Sequence, residues 1–255
     1  MKRVLTAIGG LVLATGVLPA AGQGSEAVAA YISGDYEGAL TCLDGAADAD
    51  SHAFAARVLL SEAISADGPP PADLLQRALD EANLAIARQP GHVEGRLQKA
   101  IALSLIIRPM SLSEVRHNGW GDEARDLAEA VLAEDLANPY AHGFLAVWNV
   151  EVVRRGGTIG AMVMGAGIGR ARDHYRAAAA SAPGDAALHW QWARALASLN
   201  ARKYRAEIEA ALDAGLAAGV ESDLERVMQT RARALKQVLD TSGPKAAGAA
   251  ALDML

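Results

Sequence analysis

The sequence predicts an all-α fold built from stacked helix pairs, and three observations carry that prediction. Alanine supplies 57 of the 255 residues, about 22%, beside 25 glycines and only 4% aromatic side chains, a composition that favours close-packed helices over sheets. Apolar residues recur at helical spacing in one segment after another, while the alternation of a half-buried strand is scarce. A hydrophobic share of 51% supports a sizeable core and excludes disorder along the whole chain.

In chain order, residues 1–22 read as an export signal. Lys2 and Arg3 precede an apolar run from Val4 to Val17, and Pro19, Ala20, Ala21 and Gly22 supply the small residues of a cleavage site. The alternative is an uncleaved anchor, because residues 4–22 carry no charge over about the length a membrane helix needs. Helices are then expected over 26–33, 36–47, 53–66, 72–88, 93–107, 122–136, 139–154, 165–181, 186–199, 204–218 and 223–239. Residues 23–239 form the helical domain in this reading. Residues 240–255, with Gly243-Pro244 and an Ala-Gly run, read as a flexible tail.

The motif Gly34 to Leu40, GDYEGAL, resembles the turn and second-helix start of a tetratricopeptide repeat. Two alanines seven apart with a proline five residues on, Ala78, Ala85, Pro90 and again Ala171, Ala178, Pro183, match the second helix of that family. Small residues there let neighbouring helices approach, and the proline ends the pair. The segment before Pro139 departs from this spacing, offering Ala124, Ala128 and Ala133 instead. The resemblance implies a TPR-like α-α superhelix of about five helix pairs plus a capping helix, binding partners without covalent chemistry.

The prolines are too far apart for a regular array, so the excess falls into insertions at 67–71, 108–121 and 155–169, each between a first and a second helix. Stacking would bring them to one edge as a continuous rim, unless the pairs simply diverged in length. Arg108, Arg116, His117, Asn118 and Trp120 are the candidate partner-binding residues of that rim, Trp120 being equally suited to anchor its loop. First helices line the concave face of proteins that resemble this family, which adds Trp148, Trp190 and Arg194 as candidates beside Leu97, Ile101 and Glu151. Trp190 and Arg194 stand one turn apart and suit an extended peptide or an acidic group; core filling is the competing role of the tryptophans. Gly157, Ala161, Gly165 and Gly169 recur every four residues, a spacing that would make a groove for close packing on a helix.

A net charge of -6 is the wrong sign for neutralising phosphates, which argues against a nucleic-acid partner. The six histidines are scattered without metal-ligand spacing, and no nucleophile elbow or Walker loop occurs. GAGIG at 165–169 lacks the strand-helix context of a dinucleotide loop. Cys42, the single cysteine, excludes an internal disulfide and sits in a helical pattern as a small apolar side chain. No metal, cofactor or catalysis is expected. The expectation is an exported, periplasmic scaffold or adaptor for a protein or peptide partner in the cell envelope, with membrane proximity and oligomeric state left open. The alternative is a small-ligand or lipid-binding accessory of a transport system, its pocket closed by the insertions around Met162 and Trp120.

Overall fold

The computed structural model describes residues 23–254, so the leader expected at 1–22 lies outside the described residues. Those residues fold into helices joined by turns and loops, with no strand among them. In order they form α1 (Gln23–Ser33), α2 (Tyr36–Thr41), α3 (Ala49–Ser65), α4 (Ala72–Arg88), α5 (Val93–Ile106), α6 (Leu112–Asn118) and α7 (Trp120–Glu134). The second half continues as α8 (Pro139–Val163), α9 (Ile168–Ser181), α10 (Ala186–Asn200), α11 (Arg205–Ala217), α12 (Asp223–Thr241) and α13 (Gly243–Asp253).

Local chemistry sets these boundaries. Asp48 accepts from the Ser51 amide at the start of α3, and Asn138 accepts from the Ala141 amide ahead of Pro139 in α8. Ser222 and Glu225 close a reciprocal capping box on α12. Alanine then decides the spacing between helices: Ala78 and Ala85 of α4, Ala124 and Ala128 of α7, and Ala171 and Ala178 of α9 are all fully buried.

Five helices form an inner ring in which α3 touches α5, α5 touches α8, α8 touches α10 and α10 touches α12. The ring closes, because α12 also touches α3 and α1. Outer helices seal the seams: α4 lies on α3 and α5, α7 on α5 and α8, α9 on α8 and α10, α11 on α10 and α12, and α13 on α12 and α10. Closure is specific. Arg231 of α12 donates to the Ile64 and Ala66 carbonyls at the C-terminal end of α3, at 2.7 and 3.1 Å. Gly34, at φ +85°, leaves so little room that a Cβ there would lie 2.8 Å from the Asp223 side chain.

A buried ion pair ties α3 to α5. Arg57 grips Glu94 through both Nε and Nη2, the Nε contact being 2.5 Å, and Gln98 also donates to the same carboxylate at 3.4 Å. Tyr31, Tyr36 and Phe54 stack the N-terminal helices onto α3, and the Tyr36 hydroxyl meets that of Ser65 at 3.1 Å.

Besides ending α2 at Thr41 and carrying α8 on to Val163, into the insertion expected at 155–169, the structure departs from the sequence reading in three places. Residues 243–253 are the helix α13 rather than flexible tail. Gly243 takes φ +82° and Pro244 sits in the first turn, where its missing N–H costs nothing. Small residues then let α13 lie close on α10: Ala247 and Ala251 are fully buried, and a Cβ on Gly248 would stand 3.3 Å from the Ala197 carbonyl oxygen. Second, the insertion at 108–121 holds the short helix α6, started by a Ser111–Glu114 capping box. Third, the four-residue small stripe makes no groove, since Gly157 (φ +60°, ψ -160°) breaks α8 and Gly165 (φ +64°) turns the chain. Cys42 is half-buried at the C-cap of α2.

Two outcomes follow. Ending the chain at Ser242 strips the cover from α10 and should lower the melting temperature by roughly 5 °C or more; an unchanged transition in circular dichroism would restore the tail to a dispensable role. The second concerns Asp185, the N-cap of α10, whose Oδ1 accepts from the Leu188 amide while Oδ2 is buried without a partner. Burial, reinforced by the nearby Glu225, pushes its carboxyl up to about 7. The native state therefore holds a proton that the unfolded chain, near ~3.9, has released, so this stabilisation is full below pH ~4 and declines as pH rises towards 7. Asp185→Asn keeps the cap and removes the titration, so urea melts between pH 5 and 8 should show a smaller loss of stability in the variant than in the parent chain.

Candidate functional site

The inner ring encloses a cavity of about 450 Å³. Each inner helix offers one stripe to it: Ile64 from α3; Ile101, Ser104, Leu105 and Arg108 along and just past α5; Phe144, Val147, Trp148, Glu151 and Arg155 from α8; Ala187, Gln191 and Arg194 from α10; Leu224 and Met228 from α12. On α5, α8, α10 and α12 the spacing of three and four residues is that of a single helical face. Leu112, Val115 and Arg116 of α6 complete the wall beside Ile159 and Val163, which follow the Gly157 break. Ile159 is 74% exposed and Val163 72%, so this part of the lining is the mouth.

Two insertions meet here. Arg155 donates to the Ile107 and Met110 carbonyls at 3.2 and 2.5 Å, fastening the segment before α6 to the end of α8. The Trp148 indole donates to the Gly121 carbonyl at 3.0 Å, and the Arg125 guanidinium lies 5.6 Å over its ring. Trp148 is thereby fixed as a wall of the cavity.

Ser104 and Gln191 apart, the polar lining is charged: Arg108, Arg155 and Arg194 surround a single carboxylate, Glu151, while Arg116 borders the cavity from the exposed helix α6. Glu151 is held by Arg154, whose Nε and Nη2 both donate to Oε2 at 2.9 and 2.6 Å. Its other oxygen lies 3.8 Å from Arg194 Nη1, an ion pair too long for a hydrogen bond. Arg194 is only 4% exposed; its Nε donates to Gln191 Oε1 at 3.0 Å, and Nη1 is buried without a hydrogen-bond partner. Burial pulls the Arg194 guanidinium down to about 10, with the Glu151 charge opposing that and Arg108 and Arg154 adding to it. Burial likewise lowers Arg108 and Arg155. For Glu151 burial acts upward, but Arg194, Arg154 and Arg108 outweigh it and hold the carboxyl below its ordinary range.

The expected site residues separate into two groups. Arg108, Arg116, Trp148 and Arg194 come together around the cavity. His117, Asn118, Trp120 and Trp190 do not line it. His117 is exposed on α6, and Asn118 serves the backbone by accepting from the Trp120 amide at 2.9 Å. Trp120 is half-buried against the core that contains Leu59 and Ala124. Trp190 is 0% exposed within the core around α10; it lies at the edge of the stripe that faces the cavity, about 40° round the helix from Arg194, about 60° from Ala187 and about 100° from Gln191, and turns into the core. Trp192 stacks on Tyr175 at 4.7 Å in the same core. Residues missed in the sequence are Arg155, Gln191, Leu224 and Met228. The spacing 144, 148, 151, 155 was there to find; what singles out the stripe on α12 is a contact between chain ends.

Among the described residues no group of three or more His, Cys, Asp or Glu side chains is placed to hold a metal, and no helix is long and apolar enough to cross a membrane. Replacing Glu151→Gln leaves buried Arg194 without its compensating charge and Arg154 without its carboxylate acceptor. The variant should lose roughly 3 kcal/mol of unfolding free energy in denaturant titrations at pH 7, and the difference should shrink as the pH falls through the depressed Glu151 pKa.

In comparisons with known proteins, no family model matches the chain, and no curated protein matches it either.

Proposed function

We propose that this chain is an exported, TPR-like helical-repeat protein whose ring takes up an elongated, mostly apolar small molecule by non-covalent contact. The observation that carries the reading is the largely apolar lining, supplied chiefly by α5, α8 and α12, around about 450 Å³, a volume suited to a drug-sized ligand. The repeat-like construction is supported by the alternation of inner and outer helices and by the buried alanine pairs of α4 and α9. Export to the periplasm is supported by the charged, apolar and small-residue order of residues 1–22. Together they favour an accessory that carries or delivers a ligand, with no catalytic step of its own.

A scaffold or adaptor for an extended envelope partner fits less well, because Trp148, Trp190 and Arg194, the inner-face residues it would use, are all buried. One observation keeps a protein partner in the picture: Ile159, Met162 and Val163 are all more than 70% exposed in one short segment at the mouth.

The test is saturable uptake of a neutral apolar dye. Nile red should gain fluorescence with one site per chain, and Val147→Trp, which drives an indole into the cavity from α8, should abolish the gain while leaving the circular dichroism melt cooperative. Equal dye binding by both proteins would place the dye elsewhere and overturn the reading.

A further inference from the structure

Resting on that reading, we infer that the natural occupant is a single-chain amphiphile with a carboxylate head, seated with the head against Arg194 and the chain along the stripes of α5, α8 and α12. Charge is the first argument. The chain as a whole is acidic, at -6, yet the titratable side chains lining this cavity are four arginines against one glutamate. An anion relieves their mutual repulsion, whereas a neutral or cationic head does not.

Hydrogen bonding is the second argument. Arg155 is engaged by the Ile107 and Met110 carbonyls, Arg154 by Glu151, and Arg108 Nη2 by the Leu252 carbonyl at 3.1 Å. Arg194 Nη1 is buried with no acceptor in bonding range. A buried guanidinium donor left unmade is costly, and a carboxylate oxygen is the acceptor that matches it in charge and planarity. Gln191, whose Oε1 orients Arg194 through Nε, keeps that donor fixed from the opposite side.

The third argument is the polar-apolar division of the walls. Apart from Ser104, whose hydroxyl is spent on the Ala100 carbonyl at 2.8 Å, the wall offered by α3, α5 and α12 within the ring is aliphatic. Such a wall holds a hydrocarbon chain and gives a second polar group nothing to bond. These walls therefore favour one acidic end and one apolar end over a polyhydroxylated or zwitterionic molecule.

The experiment is displacement of Nile red from the unmodified chain by dodecanoate and, separately, by dodecanol, at equal ionic strength and below the critical micelle concentration of either. Dodecanoate should compete roughly ten- to a hundredfold better, the worth of a charge-assisted hydrogen bond. The preference should collapse in Arg194→Met, and in Arg108→Gln it should shrink. If Arg194→Met fails to fold, the acid-to-alcohol ratio on the unmodified chain and on Arg108→Gln decides the question. Equal competition by acid and alcohol would overturn the carboxylate inference while leaving the apolar cavity standing. Absence of saturable dye binding would instead overturn the reading on which it rests.

Discussion

Closure of the helical ring by α12 is the constraint on which everything else in this structure depends. Without it, α3, α5, α8 and α10 would present a concave surface to solvent. With it, the surface becomes a room. The contacts that close it are made across nearly the whole chain: Arg231 caps the last carbonyls of α3, Asp223 fits against Gly34, and Leu224 and Met228 supply the wall that faces Phe144 and Trp148. Gly34 has two reasons to be glycine, its positive φ and the approach of α12, so the turn that resembles a repeat motif also acts as the seat of the closing helix.

Enclosure changes the electrostatics of the residues it captures. A guanidinium on an open helix face is hydrated and its pairing is worth little. Arg194, buried between Gln191 and Glu151, has lost that water, which is why burial is the first cause of its lowered pKa. The same desolvation makes Glu151 indispensable to the cluster, because one carboxylate must hold Arg154 closely and still compensate Arg194 from 3.8 Å. That division leaves positive potential facing the cavity, a consequence of geometry and not of the chain's overall charge.

Much of the fold was legible in the residues. The periodic segments at 72–88, 93–107 and 186–199 correspond closely to α4, α5 and α10, since each carries an apolar face and α5 and α10 start at side-chain caps, His92 and Asp185. The alanine pairs marked close packing and are buried. Two helices had no such signal. Helix α6 buries no residue, so no apolar period announces it, and α13 consists mostly of small residues that pack on α10 and α12. The site was half legible. Trp148 and Arg194 lie on stripes that a helical period places inward, but Trp190, only about 40° round α10 from Arg194, turns into the core instead, and the α12 wall depends on a contact between residues far apart in sequence.

Alanine-rich packing and a large cavity look contradictory until their energies are compared. Small residues at the inter-helix seams draw the ring tight, which should leave little space inside. An enclosed apolar void of about 450 Å³ would cost on the order of 10 kcal/mol at ~24 cal/mol per Å³, as much as the whole stability of a typical domain. The mouth resolves the conflict. Leu112, Ile159 and Val163 are exposed lining residues, so the space communicates with solvent and is not an evacuated void. Water that enters finds few polar partners except at the arginines, and an apolar chain that displaces it regains the contacts the walls lack. The exposed side chains at the mouth and the buried Arg194 within are thus two ends of one surface, with the hydrophobic gain of filling it concentrated along α5, α8 and α12.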